Sequence, residues 1–85
     1  MPAVSRFLGI VIRMYYEDHG PPHFHAVYAG HEVAVEVRSR LVRGSFPKRA
    51  LRHVLEWADL HQAELLVNWE AARDGQPLGR IAPLE

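Results

Sequence analysis

Residues 23–37, His23-Phe24-His25-Ala26-Val27-Tyr28-Ala29-Gly30-His31-Glu32-Val33-Ala34-Val35-Glu36-Val37, read as two strands folded back around Gly30. The strands run from His23 to Ala29 and from Glu32 to Val37, and successive side chains in each alternate between faces. With a two-residue turn at Ala29-Gly30, Tyr28 faces His31, Ala26 faces Val33 and Phe24 faces Val35, which makes one apolar face. The other face then holds His25 beside Ala34, His23 beside Glu36 and Val27 beside Glu32. A four-residue loop preserves this parity and brings His25 opposite Glu36, whereas a three-residue loop destroys it. Alanine fits the positive φ of a type I′ turn poorly, which favours the longer loop. Either even loop sets His23, His25 and Glu36 on one face, away from the helix-covered core.

Outward from the hairpin, Glu17 to Pro22 is a turn cluster in which two prolines stiffen the approach to His23. Phe7 to Tyr16 is rich in β-formers, with Ile10, Ile12, Met14 and Tyr16 on one face and Arg13 interrupting the other. Downstream, Arg38 to Phe46 is a connection that can hold a short strand at Leu41-Val42. Pro47 suits the first turn of a helix capped by Ser45 or Phe46. Leu51, Val54, Leu55, Ala58, Leu65, Trp69 and Ala72 recur at three- and four-residue steps, an apolar helix stripe. The stripe falters at His61-Gln62, where the helix can kink or restart, and Gly75 and Pro77 end it. Leu78 to Leu84 keeps enough apolar side chains to pack back as an extended segment.

These elements give an α+β fold for residues 1–85 as one domain. A small antiparallel sheet of about three strands carries one long C-terminal helix, which can kink or restart within residues 47–74, on one face. Residues 40–43 or the tail can add a fourth strand.

With 85 residues, 48% of them hydrophobic, and two tryptophans within the helical pattern, the chain builds a small core and is not disordered. So small a core leaves room for a second copy or another chain to cover part of the surface. A formal net charge of zero argues against a protein that coats nucleic acid by bulk electrostatics. The absence of cysteine excludes disulfides, zinc-thiolate sites and thiol catalysis. The apolar run Phe7–Ile12 is too short to span a bilayer and Met1-Pro2-Ala3 has no basic leader character, so the expected location is the cytoplasm, with no membrane partner.

Three of the six histidines, His19, His23 and His25, fall within seven residues. His23 and His25 share a strand face, so two imidazoles project side by side from a rigid platform. With Glu36 and the nearby Asp18 or His19 they can form an acid/base site, or hold a divalent metal through His23, His25 and Glu36. A metal needs neutral imidazole nitrogens converging within about 2.1 Å, and a strand His-x-His pair supplies two of three or four ligands. The competing reading is a polar face in which the histidines simply pair with Glu36 across strands. His31, His53 and His61 read as surface or turn residues.

Arg38, Arg40, Arg43, Lys48, Arg49 and Arg52 are six of the ten basic residues, and no acid lies between Val37 and Leu55. Glu56, Asp59, Glu64, Glu70 and Asp74 follow, so the helix starts basic and ends acidic, against its macrodipole. Lys48 and Arg52 add like charge at i,i+4, costing about 0.2–0.5 kcal/mol. A broken local rule is a pointer to function. Arg43, Lys48, Arg49 and Arg52 are therefore candidates for an anion or for a partner's acidic patch, the latter favoured over nucleic acid by the zero net charge. The plain alternative is a solvated face with an exposed Arg52–Glu56 pair.

The runs Ser5-Arg6-Phe7-Leu8-Gly9-Ile10-Val11-Ile12-Arg13-Met14-Tyr15, Asp18-His19-Gly20-Pro21-Pro22-His23-Phe24-His25-Ala26, Gly44-Ser45-Phe46-Pro47-Lys48-Arg49-Ala50, and Glu56-Trp57-Ala58 with Asn68-Trp69 resemble the bacterial domain of unknown function 4160 family. The resemblance covers nearly the whole chain, with four motifs in order. It implies a component of a toxin–antitoxin-type two-gene module whose partner is a small protein encoded by a neighbouring gene, and it carries over no catalytic residues. The expected function is thus partner binding. A small nuclease-like toxin, with His23 or His25 as general acid/base and Lys48 or Arg49 on phosphate, and a metal-binding module on the His-x-His strand stand as alternatives.

Overall fold

Two hairpins with two-residue turns set the architecture. The computed structural model describes residues 3–16 and 18–85; Met1, Pro2 and Glu17, the last expected to open the turn cluster, lie outside them. Strands β1 (Ala3–Phe7), β2 (Ile10–Arg13), β3 (His23–Tyr28), β4 (His31–Glu36) and β5 (Val42–Gly44) form one antiparallel sheet in the order of the chain. Helices α1 (Lys48–Leu60) and α2 (Gln62–Arg73) follow and supply the second layer. The class is the α+β expected, but the sheet has five strands where about three were expected.

The extra strand at the start comes from a turn inside what the sequence presents as one β-rich run. Leu8 and Gly9 both adopt positive φ, 52° and 78°, so Phe7 pairs with Ile10 and Arg6 with Val11. A leucine in the left-handed region costs roughly 1–2 kcal/mol. The fold-back offsets this by putting Phe7 on the same face as Ile10 and Ile12, where all three are buried. The central turn corrects the loop-length expectation too. Ala29 accepts a φ of 48° beside Gly30 at 82°, giving the two-residue turn and pairing His23 with Glu36, His25 with Ala34 and Phe24 with Val35. Residues 37–41 connect β4 to β5, with the amide of Glu36 donating to Leu41 O (2.9 Å).

The apolar face of the sheet meets the helices around Trp57, whose ring centroid lies 5.4 Å from Phe7 and 5.8 Å from Phe24. Ile10, Ile12, Met14, Phe24, Val33, Val35, Val54 and Leu65 are fully buried around it. The helical segment is two helices, not one. His61 leaves the helical region (φ −120°, ψ 26°), its imidazole held by Glu64 at 2.6 Å and stacked near Trp57, while Gln62 donates to Val37 O. The buried positions Val54, Trp57, Ala58, Leu65, Asn68 and Trp69 keep the helical phase across this break, so the periodicity alone does not show it. Helix α1 starts after Pro47, which occupies the cap position without a side-chain bond, rather than after a Ser45 or Phe46 cap.

The tail packs back in extended form, as expected. Ile81 N donates to Val4 O on the outer edge of β1, Trp57 Nε1 donates to Ala82 O, and Asn68 both donates to Gly79 O (2.8 Å) and accepts from Gly79 N (3.0 Å). This covers an edge strand that would otherwise present unpaired backbone groups. Among the described residues no helix is long and apolar enough to cross a membrane.

Gly44 is the position where a side chain is least tolerable. Its φ is 111°, and a Cβ there would sit 2.6 Å from Glu32 O across the β4–β5 ladder. Gly30 has a positive φ too, but its Cβ would meet nothing within 4 Å. Gly44→Ala should therefore lower stability beyond the roughly 1–3 kcal/mol of backbone strain alone, and Gly30→Ala should stay within that range. Chemical denaturation of the two variants checks the order; equal losses would mean the ladder yields freely at Gly44.

Candidate functional site

The face of the sheet turned away from the helices carries the histidines. Strand β3 alternates Phe24 and Ala26 inward with His23 and His25 outward, and the β2–β3 register sets Arg13 beside His25. Residues 18–22, just before β3, lie against this face. Val37 N donates to Pro22 O (2.9 Å), which ties the proline pair to the end of β4. His19 N donates to Asp18 Oδ1 (2.9 Å), which orients that carboxylate and leaves Oδ2 directed at the histidines.

Asp18 Oδ2 lies 2.9 Å from His23 Nε2 and 3.9 Å from His25 Nε2. The opposite ring nitrogen of each histidine also has an acceptor. His23 Nδ1 donates to Pro21 O at 2.9 Å, and His25 Nδ1 lies 3.4 Å from Glu32 Oε2. A carbonyl oxygen cannot donate, so the proton on His23 sits at Nδ1, and Nε2 keeps a lone pair whenever the ring is neutral. Both imidazoles therefore aim Nε2 at one carboxylate oxygen, and the three ligating atoms of Asp18, His23 and His25 lie within 4.8 Å of one another.

The rings are packed as well as bonded. His25 stands edge-on to Tyr15 at 4.3 Å between centroids, His23 is 5.3 Å from His25, and the far side of His23 meets Trp69 of α2 at 4.9 Å. The two histidine side chains are only 17% and 18% exposed, although they belong to the open face. Burial, and then the neighbouring His23, lower the pKa of His25, while Glu32 and Asp18 pull it the other way. Burial and the Glu32 carboxylate raise the pKa of Tyr15, whose hydroxyl reaches Glu32 Oε2 at 3.5 Å.

Glu36, expected as the third metal ligand, pairs with His23 in the strand register, but its carboxylate is engaged elsewhere. Oε1 accepts from Ser39 Oγ at 2.7 Å and Oε2 lies 3.6 Å from Arg43. Asp18, the other acid considered, takes that place. Glu36, Arg43, Leu41 and His19 instead line a cavity of about 180 Å³ that borders the site through His23.

The basic candidates do not converge on one surface. Arg43 belongs to this cavity beside Glu36, while Arg49 lines a separate cavity of about 340 Å³ with Leu8, Tyr28 and His53. Lys48 and Arg52 border a third, along the outer side of α1. Among the described residues, His23 and the helix start border different cavities.

Tyr15, Glu32 and Trp69 were not anticipated from sequence. Glu32 could have been found, since it is two residues from Ala34, the direct partner of His25, and diagonal neighbours on a sheet are within reach of long side chains. Tyr15 needed the β2–β3 register, and Trp69 needed the packing of α2 against the end of β3.

The family model described as Domain of unknown function (DUF4160) matches residues 9–70, and the chain belongs to that family. The matched span includes Asp18, His23, His25, Glu32 and Trp69. No curated protein and no solved structure matches the chain.

In metal-free protein, an NMR pH titration should place the midpoint of His25 below the ordinary histidine value of about 6.5. Glu32→Gln removes a charge that favours the imidazolium and should move the midpoint lower still. A midpoint at or above the ordinary value would show that the carboxylates outweigh burial.

Proposed function

We propose that this member of the family is a metal-binding module in which Asp18, His23 and His25 hold one divalent first-row transition-metal ion. The observation that carries the reading is the shared aim of the two imidazoles: each Nδ1 faces an oxygen acceptor and each Nε2 faces the same oxygen of Asp18. Anchoring the non-ligating nitrogen is how metal-binding histidines are oriented and made more basic. A stabilising polar face needs only a cross-strand pair and would not require a loop carboxylate brought over both rings.

The dimensions suit the chemistry. With metal–ligand bonds of about 2.0–2.2 Å, neighbouring ligand atoms stand roughly 3 Å apart, which the Asp18–His23 separation already meets. Drawing in His25 takes a shift of about 1 Å, within reach of side-chain rotation. A metal ion takes unprotonated imidazole nitrogens and an ionised carboxylate, so binding weakens in acid. Two nitrogens and one carboxylate oxygen suit zinc, iron, cobalt, nickel or manganese better than calcium or magnesium. Three protein ligands leave the remaining positions to water or a bound molecule, the pattern of reactive rather than purely structural centres; a bound ion there would act as a Lewis acid.

The two-gene partnership expected from the family resemblance ranks behind this reading because its candidate cations are spread over three surfaces. Co-expression with the neighbouring gene's product is its own test.

Titration of tag-free, chelator-treated protein with Zn²⁺ or Co²⁺ should give one equivalent per chain, with a cobalt absorption spectrum reporting the coordination number. The His23→Ala/His25→Ala variant should abolish binding. Asp18→Asn should weaken it strongly, and Glu32→Gln about 10–100-fold through loss of the orienting contact. Glu36→Gln should leave it unchanged. Binding that survives the double histidine replacement, or none in the wild type at micromolar metal, would end the proposal.

A further inference from the structure

The outer face of α1 carries a line of four residues at i, i+4, i+7 and i+11: Lys48, Arg52, Leu55 and Asp59. At 100° per residue these fall within about one side of the helix, flanked by Leu51 and Glu56. All six border a shallow groove of about 400 Å³ on the solvent side of α1. Leu51 and Leu55 are only half-buried. Among the described residues, Lys48, Arg52 and Glu56 have no ion-pair partner within 4.0 Å. Asp59 has only an exposed contact with Arg40 at 3.1 Å.

The charge order along this face is unfavourable for an isolated helix. Cations occupy the N-terminal turns, no acid lies in the first turn, no base lies in the last, and the cap position offers no side-chain bond. The same order is self-complementary when a second copy of the helix lies antiparallel. A two-fold axis passing between His53 and Val54 sets position i opposite 107 − i. Lys48 then faces the partner's Asp59, and Arg52 faces the partner's Leu55, with the partner's Glu56 one position further along. The aliphatic stem of arginine can cover the leucine while its guanidinium reaches the glutamate. Each basic helix start also receives the acidic end of the other helix, which corrects the macrodipole conflict.

We propose that α1 is a homodimerisation surface in which two copies of the chain pair through antiparallel α1 helices across this stripe. The contact is isologous, so it closes as a two-fold dimer and does not propagate. A helix of 13 residues is about 20 Å long and buries less than the standard interface of about 1,600 Å². The dimer is accordingly weak and sensitive to salt.

Sedimentation equilibrium of the full chain over tens to hundreds of micromolar tests this. At low salt the mass should rise toward a dimer, and it should fall at least tenfold in association constant near ~1 M salt, where the Debye length is about 3 Å. Lys48→Glu/Arg52→Glu should give a monomer, as should Glu56→Lys/Asp59→Lys. Mixing these two variants should give a heterodimer, and the chain carrying all four substitutions should dimerise again. The first variant places acids at the helix start, which favours the helix, so loss of the dimer there does not report unfolding. A monomer under all conditions, or a dimer indifferent to the charge reversals, would overturn the proposal.

Discussion

At Ala29 and Gly30 the backbone turns in two residues, and the even count keeps β3 and β4 in phase. Everything else in the sheet depends on that phase. One face collects Phe24, Ala26, Val33 and Val35, and the other collects His23, His25, Glu32 and Glu36. A slip of one residue would turn β4 over relative to β3, exposing Val33 and Val35 and driving Glu32 and Glu36 into the core. Burying unpaired carboxylates costs far more than the strain of an alanine at positive φ, so the tight turn prevails over the local preference against it.

The same strand thus serves two purposes. Its inward residues hold the core, and the rigidity of that core fixes where His23 and His25 project. The loop before it is fastened at Pro22 to the end of β4, so Pro21 O and Asp18 approach the histidines from a segment with little freedom of its own. Trp69 backs His23 from the helix layer, which links the position of α2 to the orientation of one ring. Sites held by strands and packed second neighbours keep their geometry better than sites on free loops.

What could be read in advance follows from the range of the interactions concerned. The hairpin pairs were readable because period-two alternation and turn parity are properties of one short segment. The helix stripe and the packing of the tail were readable from periodicity and apolar content. The β1–β2 turn was not, because Leu8 is an unlikely residue for the left-handed region and only its tertiary reward, the burial of Phe7 against Trp57, explains it. The helix break was hidden because the buried positions stay in phase across His61. At the site, Glu36 and Asp18 competed for one role. The deciding fact is that Ser39 and Arg43, both outside the hairpin, occupy the Glu36 carboxylate.

The energetic character of the cluster favours the proposed site over a decorated sheet face. Partly burying two imidazoles and drawing a carboxylate over them is a poor way to gain stability. Buried ion pairs often do no better than well-packed apolar residues of the same volume. Positions 23 and 25 lie beside Trp69 and Tyr15, surroundings in which apolar side chains would pack well. The chain instead spends two prolines, a positive-φ glycine and an aspartate to close a polar cap over the histidines. It then supplies each ring with an acceptor on the side facing away from Asp18. Local choices that oppose stability, yet agree with one another in geometry, are what a ligand site imposes on a fold. Under the proposed reading, a single metal cation among the three ligating atoms would make all of these choices favourable at once.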